Sequence, residues 1–188
     1  LGDVYKRQCI YNHNLIVMGG STRIKINKEK TYSSKVHALD LKTGYWYELE
    51  DMPQAQEAKG ILVGDHIYLI GGYKTTALKE IQNYNITTGA WHTEGELLYA
   101  TERPALAYHK NIIYIFEGDK IQTYNVKTKE IKNFQINLFL KNSELFCIDN
   151  KLYILGGAET SETLILPSQH LYCIDLHEFQ ITAQSDRD

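Results

Sequence analysis

Apolar runs without polar alternation, each stopping at adjacent glycines, punctuate this chain. The plainest is HIYLIGG, from His66 to Gly72. A half-exposed strand would alternate apolar and polar residues, and a helix would not tolerate two consecutive glycines. An unbroken apolar run of this length therefore predicts a strand buried on both faces. The phrase returns as NLIVMGG (Asn14 to Gly20), as KLYILGG (Lys151 to Gly157) and, with Glu117 in place of one glycine, as IIYIFEG (Ile112 to Gly118). Copies recur at intervals of about 40 to 50 residues, the range of a repeat architecture.

A second landmark follows each run: ALDLKTGYW (Ala38 to Trp46), NYNITTGAW (Asn83 to Trp91), TYNVKTKEI (Thr123 to Ile131) and CIDLHEFQI (Cys173 to Ile181). Asp40, Asn85, Asn125 and Asp175 each precede a large apolar residue by a fixed interval. A short polar side chain there can start an Asx-turn by accepting from backbone N–H groups further on. Gly44 and Gly89 supply the positive φ of a tight hairpin loop, and Lys129 and Phe179 stand in their place later. A non-glycine residue in that conformation costs on the order of 1 kcal/mol unless the turn changes type.

Before each glycine pair lies a third apolar segment: GILV (Gly60 to Val63), ALAY (Ala105 to Tyr108) and ELFCI (Glu144 to Ile148). Gly64-Asp65 and Asp149-Asn150 are tight links that join it to the next strand as a hairpin. Each unit thus reads as four short antiparallel strands, and no segment has convincing helical periodicity.

These marks resemble the kelch repeat, one blade of a β-propeller. The resemblance rests on the double glycines Gly19-Gly20, Gly71-Gly72 and Gly156-Gly157, on Tyr84 and Tyr124, and on Trp46 and Trp91. It implies an all-β, kelch-type propeller fragment of about four blades of four-stranded antiparallel sheets, near residues 9–52, 57–97, 103–137 and 143–182. Leu39 and Ile174 replace the tyrosine, and Ile131 and Ile181 replace the tryptophan. In such a blade the tryptophan fills the widening wedge between neighbours, and the glycines sit where no Cβ fits. WD40 blades are a lesser alternative, since no Gly-His and Trp-Asp pairing occurs. Rings of this family have five to eight blades, so two or more further blades are expected. A closed four-bladed ring is the alternative.

Residues 1–8, LGDVYKRQ, match nothing later and resemble a read-in peptide, so they are set aside from fold reasoning. Residues 183–188 are read as a tail.

Composition changes the picture little. A formal net charge of -3 argues against a nucleic-acid partner, which usually needs a basic face. No apolar run approaches the roughly 20 residues of a membrane span. Cys9, Cys147 and Cys173 are too few and scattered for a disulfide framework, although neighbouring strands could pair the last two.

Seven histidines include no metal-binding spacing, and His66 and His109 fall in hairpin turns where exposure is the default. No metal and no cofactor are expected. Galactose-oxidase-type kelch enzymes hold copper through tyrosine and histidine, but no local motif here carries that over. Kelch-like sugar-acid mutarotases place polar side chains on the loops joining one blade to the next. Aligned on the glycines, Glu57, Arg103 and Asn142 occupy equivalent places in those loops. An anion, a cation and an amide about one opening could hold a sugar or carboxylate. The loops after the glycines vary more: Ser21 to Lys35 is long and basic, Tyr73 to Glu80 is shorter, and Ala158 to His170 carries the apolar tip Leu164-Ile165-Leu166. Such a tip either folds onto its own blade or makes a contact. The functional expectation is a binding module for a protein or glycan acting through these loops. A carbohydrate-active kelch enzyme is the alternative.

Overall fold

The computed structural model describes residues 7–23, 30–160 and 165–177. All regular structure of any length is β-sheet. The chain divides into two compact units, Leu1–Glu102 and Arg103–Asp188.

In the first unit, β1 (Arg7–Tyr11) and β2 (Asn14–Met18) lead to a small hairpin, β3 (Ser21–Arg23) and β4 (Lys30–Tyr32). Next come β5 (Val36–Asp40) and β6 (Trp46–Glu48), giving an antiparallel sheet ordered β1-β2-β5-β6. Arg7 and Gln8 pair with Met18 and Val17, so the ladder reaches two residues into the stretch set aside above. The second sheet comprises β7 (Glu57–Val63), β8 (His66–Tyr73), β9 (Leu78–Asn85) and β10 (Ala90–Thr101), each paired with the next. Ile16, Met18, Val36 and Ala38 of the first sheet pack against Ile67, Leu69 and Tyr84 of the second. β8 is buried on both faces from Ile67 to Gly72, as its unbroken run predicts, whereas β2, with an equally unbroken run, alternates in burial.

In the second unit, β11 (Ala105–His109), β12 (Ile112–Asn125) and β13 (Ile131–Leu140) form the third sheet. Fourteen extended residues would span about 45 Å. Yet the Val126 N–H donates to Asn111 O at 2.9 Å, as Ile86 does to Asp65 and Leu176 to Asn150. β12 must therefore fold back on itself, and Gly118, at φ 70°, is its one left-handed residue. In strand directions this sheet too has four passes. The fourth sheet orders β14 (Glu144–Ile148), β15 (Lys151–Leu155) and β18 (Leu171–Asp175). Between the last two lies a second small hairpin, β16 (Ala158–Thr160) and β17 (Ile165–Pro167). The fourth strand expected at Ile181 lies outside the described residues, as does Phe179. Tyr114, Phe116 and Leu140 pack on Leu145, Leu152 and Ile154 to make the core of this unit.

The outer strands outrun the expected limits. β10 continues to Thr101, which pairs with Leu78, and β13 to Leu140, which pairs with Gly118, each after a register shift in its ladder.

Candidate functional site

The glycine pairs position the loops where binding residues were expected. Gly72 has φ 115°, and a Cβ there would collide with Glu57 O at the start of its own inner strand. A Cβ on Gly71 would collide with Thr101, and one on Gly19 would stand 2.8 Å from Gln56 O, in both cases on the chain leaving one sheet for the next. At Gly71-Gly72 two backbone crossings, at Thr101 and Glu57, lie directly on the pair, and only glycine leaves room for both.

Glu57 is therefore held close against the sheet. Rather than facing an open mouth, as the alignment suggested, it is 5% exposed. Its Oε1 accepts from the Ser21 hydroxyl and from Lys30 Nζ at 2.8 Å. The Lys30 ammonium also lies 5.2 Å from the centre of the Tyr73 ring. Ser21 and Lys30 belong to the β3–β4 hairpin, whereas Glu57 and Tyr73 belong to the second sheet. The ion pair thus clamps the long post-glycine loop of one sheet onto its neighbour. Burial of the nearby Tyr32 phenol raises its pKa, partly countered by Lys30 and reinforced by Glu57. Neither Ser21 nor Lys30 was singled out from sequence; the only signal was the basic character of their loop.

Arg103 and Asn142 lie in the second unit. The Arg103 backbone N–H donates to Glu117 Oε1 at 2.8 Å. The residue that breaks the third glycine pair thus ties down the start of β11. Glu117 escapes the left-handed conformation of the glycines it replaces. The Arg103 side chain is half-buried and Pro104 beside it is buried. Asn142 is exposed at φ 57°, next to Lys141, whose N–H and C=O both bond Ala158 of β16.

His66 and His109 are not simply solvated. Each is half-buried and bonded to an amide, His66 Nδ1 to Asn83 Oδ1 at 2.8 Å and His109 Nε2 to Asn150 Oδ1 at 2.7 Å. Among the described residues no group of three or more His, Cys, Asp or Glu is placed to hold a metal. Cys9, Cys147 and Cys173 are free thiols. Cys147 and Cys173 lie on strands either side of β15, too far across the sheet to bond. No helix of the described residues is long and apolar enough to cross a membrane.

Residues 9–53 match the Kelch motif family. Kelch domain-containing protein 10 of Homo sapiens is 34% identical over 92 residues, covering 44% of this chain, and its Bos taurus counterpart matches equally well. Kelch repeat and BTB domain-containing protein 2 of Ectromelia virus is 25% identical over 164 residues, covering 72% of the chain. The chain spans only 20% to 28% of the length of these relatives. The solved structure of YjhT superposes with a TM-score of 0.78 at 14% identity, over 90% of this chain and 68% of that one.

The chain carries a kelch repeat. Its fold is the kelch-type β-propeller, four antiparallel sheets long.

The kelch signature residues divide by environment. Tyr84 is buried and its ring centre stands 4.8 Å from that of Trp91. Trp91 is half-buried against the first kelch sheet and donates Nε1–H to Glu50 O at 3.2 Å. Tyr124 is fully buried, with Lys129 Nζ 5.8 Å from its ring centre. Trp46 departs from the wedge role expected of it, being 57% exposed. Its cross-strand row is Leu39, Leu15 and Ile10, the face opposite to the one that packs on the second sheet. Among the described residues of the first unit no sheet covers that face, and Ile10 on it is 62% exposed.

Proposed function

We propose that this chain is a protein-interaction module whose principal contact is the β16–β17 hairpin. Kelch repeats suggest such a module. The observation that carries the reading is an apolar tip left in water. Ile165 is 72% exposed and Leu166 57% exposed, on strands already satisfied by pairing with Thr160 and Glu159. Of the two fates open to this tip, folding onto its own sheet would have hidden both side chains. Leu164 lies outside the described residues. Exposed aliphatic side chains on a short, backbone-paired ribbon are anchors for an apolar cleft on a partner. Arg103, with its planar guanidinium, is the candidate for a partner's carboxylate. A sugar acid held by Glu57 is disfavoured, because that carboxylate already serves Lys30 and Ser21.

The test compares proteins captured by the immobilised chain with those captured by Ile165→Asp/Leu166→Asp and by Arg103→Ala. A partner retained by the wild type and lost with the hairpin variant, at unchanged melting temperature, supports the reading. Identical capture by wild type and hairpin variant refutes it.

A further inference from the structure

Where the first hairpin of the third sheet meets that of the fourth, within the second unit, the surface opens into a cavity of about 180 Å³. Its floor is apolar and fixed. Tyr114 and Leu176 belong to the buried core, and Ile112 packs against it. Its rim is polar and comes from two tight turns, Lys110-Asn111 and Asp149-Asn150, all four residues at positive φ. Both turns are of the two-residue kind that fixes strand register, so the rim stands preformed.

Among the described side chains that line the cavity the only fixed charge is a cation, and the Asp149 carboxylate of the second turn is not one of them. Asn150 Oδ1 accepts from Lys110 Nζ at 3.0 Å. An ammonium can only donate, so this bond identifies the amide oxygen, and His109 Nε2, bonded to the same atom, must carry a proton. An ammonium has three donors, and this bond uses one of those of Lys110. His177 also lines the opening. Among the described residues no carboxylate side chain lines the cavity. The site therefore offers one permanent positive charge and two imidazoles above an aliphatic and aromatic floor. A single charge matches a monoanion better than a phosphate. A cavity of about 150 Å³ is known to hold benzene, so this one takes a body of ring size.

We propose that this cavity binds a small free monocarboxylic acid with a compact apolar body, aromatic or branched aliphatic. The carboxylate sits at Lys110 and His177, and the apolar body rests on Ile112, Tyr114 and Leu176. Nothing in the kelch signature uses these residues, and the site is separate from the β16–β17 hairpin.

The experiment is calorimetric titration of the full 188-residue chain with phenylacetate, 2-phenylethanol and inorganic phosphate. Phenylacetate should bind at least tenfold more tightly than either of the others. Lys110→Met keeps the stem of the side chain and removes its charge. Asn150→Asp keeps the turn and sets a negative charge beneath Lys110 and His109. Each should weaken phenylacetate at least tenfold at unchanged melting temperature. If Lys110→Met fails to fold, Asn150→Asp decides by itself, since Asp tolerates the left-handed turn. Equal affinity for the alcohol would overturn the role of charge, and equal affinity for phosphate the role of the floor. No phenylacetate binding at millimolar concentration, or binding untouched by either variant, would overturn the site itself.

Discussion

Asp40, Asn85, Asn125 and Asp175 do the same work at four places. Asp40 accepts from the Lys42 N–H at 2.7 Å, Asn85 from Thr87 and Asn125 from Lys127 at 2.9 Å, and Asp175 from His177 at 2.9 Å. The Lys42 bond chiefly, and Thr43 with it, lowers the Asp40 pKa. Lys129 takes the left-handed place of glycine, at φ 63°, and covers Tyr124. Trp91 is the aromatic with most to lose. Trp91→Ala should cost about 3 kcal/mol, the low end for a large aromatic because the ring is only half-buried. A chemical-denaturation midpoint identical to wild type would remove its role between the sheets. Tyr114 makes a prediction about alkali. Burial, with a small contribution from Cys147, pushes its phenol up to about 12. The folded state thus favours the neutral form more than the unfolded state does, whose phenol titrates near its ordinary value of about 10. That stability is complete below about 10 and is lost as pH rises toward 12. Melting temperature should therefore fall less steeply over this window in Tyr114→Phe than in wild type, and parallel curves would count against it.

At the scale of elements, the double glycine is the device that matters. It makes a floor for two backbone crossings, as the contacts of Gly71 and Gly72 show. Gly72→Ala should cost about 2–5 kcal/mol, adding backbone strain to overpacking against Glu57. Gly44, in a turn with nothing near its missing Cβ, is the control. Gly44→Ala carries the strain by itself, about 1–2 kcal/mol. Equal losses for the two, in the same denaturation experiment, would show that φ alone, and not close approach, selects glycine at 72. The β3–β4 hairpin depends on a different kind of bond. Its fastening through Lys30 and Glu57 is a partly buried ion pair, and removing Lys30 leaves the buried Glu57 carboxylate uncompensated.

For the molecule as a whole, the fourth sheet keeps one face dry and one wet. Leu145, Leu152 and Ile154 are in the core, whereas Phe146, Ile148, Leu155 and Leu171 on the other face are about half exposed or more. The cross-strand rows put these side chains together: Phe146 faces Tyr153 and Cys173, and Leu155 faces Leu171. An open apolar sheet face of this kind favours association. Sedimentation of the chain should show association that grows with concentration. Phe146→Asp combined with Leu155→Lys should abolish it without lowering the melting temperature. A wild-type chain that stays monomeric at high concentration would argue that this face is stable in water.

Sequence by itself determined the repeat, the strand content, the hairpin turns and the place of the glycines. Each depends on local stereochemistry or on a period of two: Asx-turns need an acceptor at a fixed offset, and a doubly buried strand needs an unbroken apolar run. The resemblance to kelch blades followed from those local marks. What lay beyond them was decided by partners distant in the chain. Trp46 and Trp91 are indistinguishable in motif, yet one is in water and the other is packed, because within the first unit only Trp91 faces another sheet. Glu57 read as a loop carboxylate at a binding mouth, and Lys30, 27 residues earlier, made it a buried clamp. His109 read as an exposed turn residue until Asn150, 41 residues later, met it at the cavity rim. Periodicity reports which face a side chain points to, but tertiary packing alone decides what stands on that face.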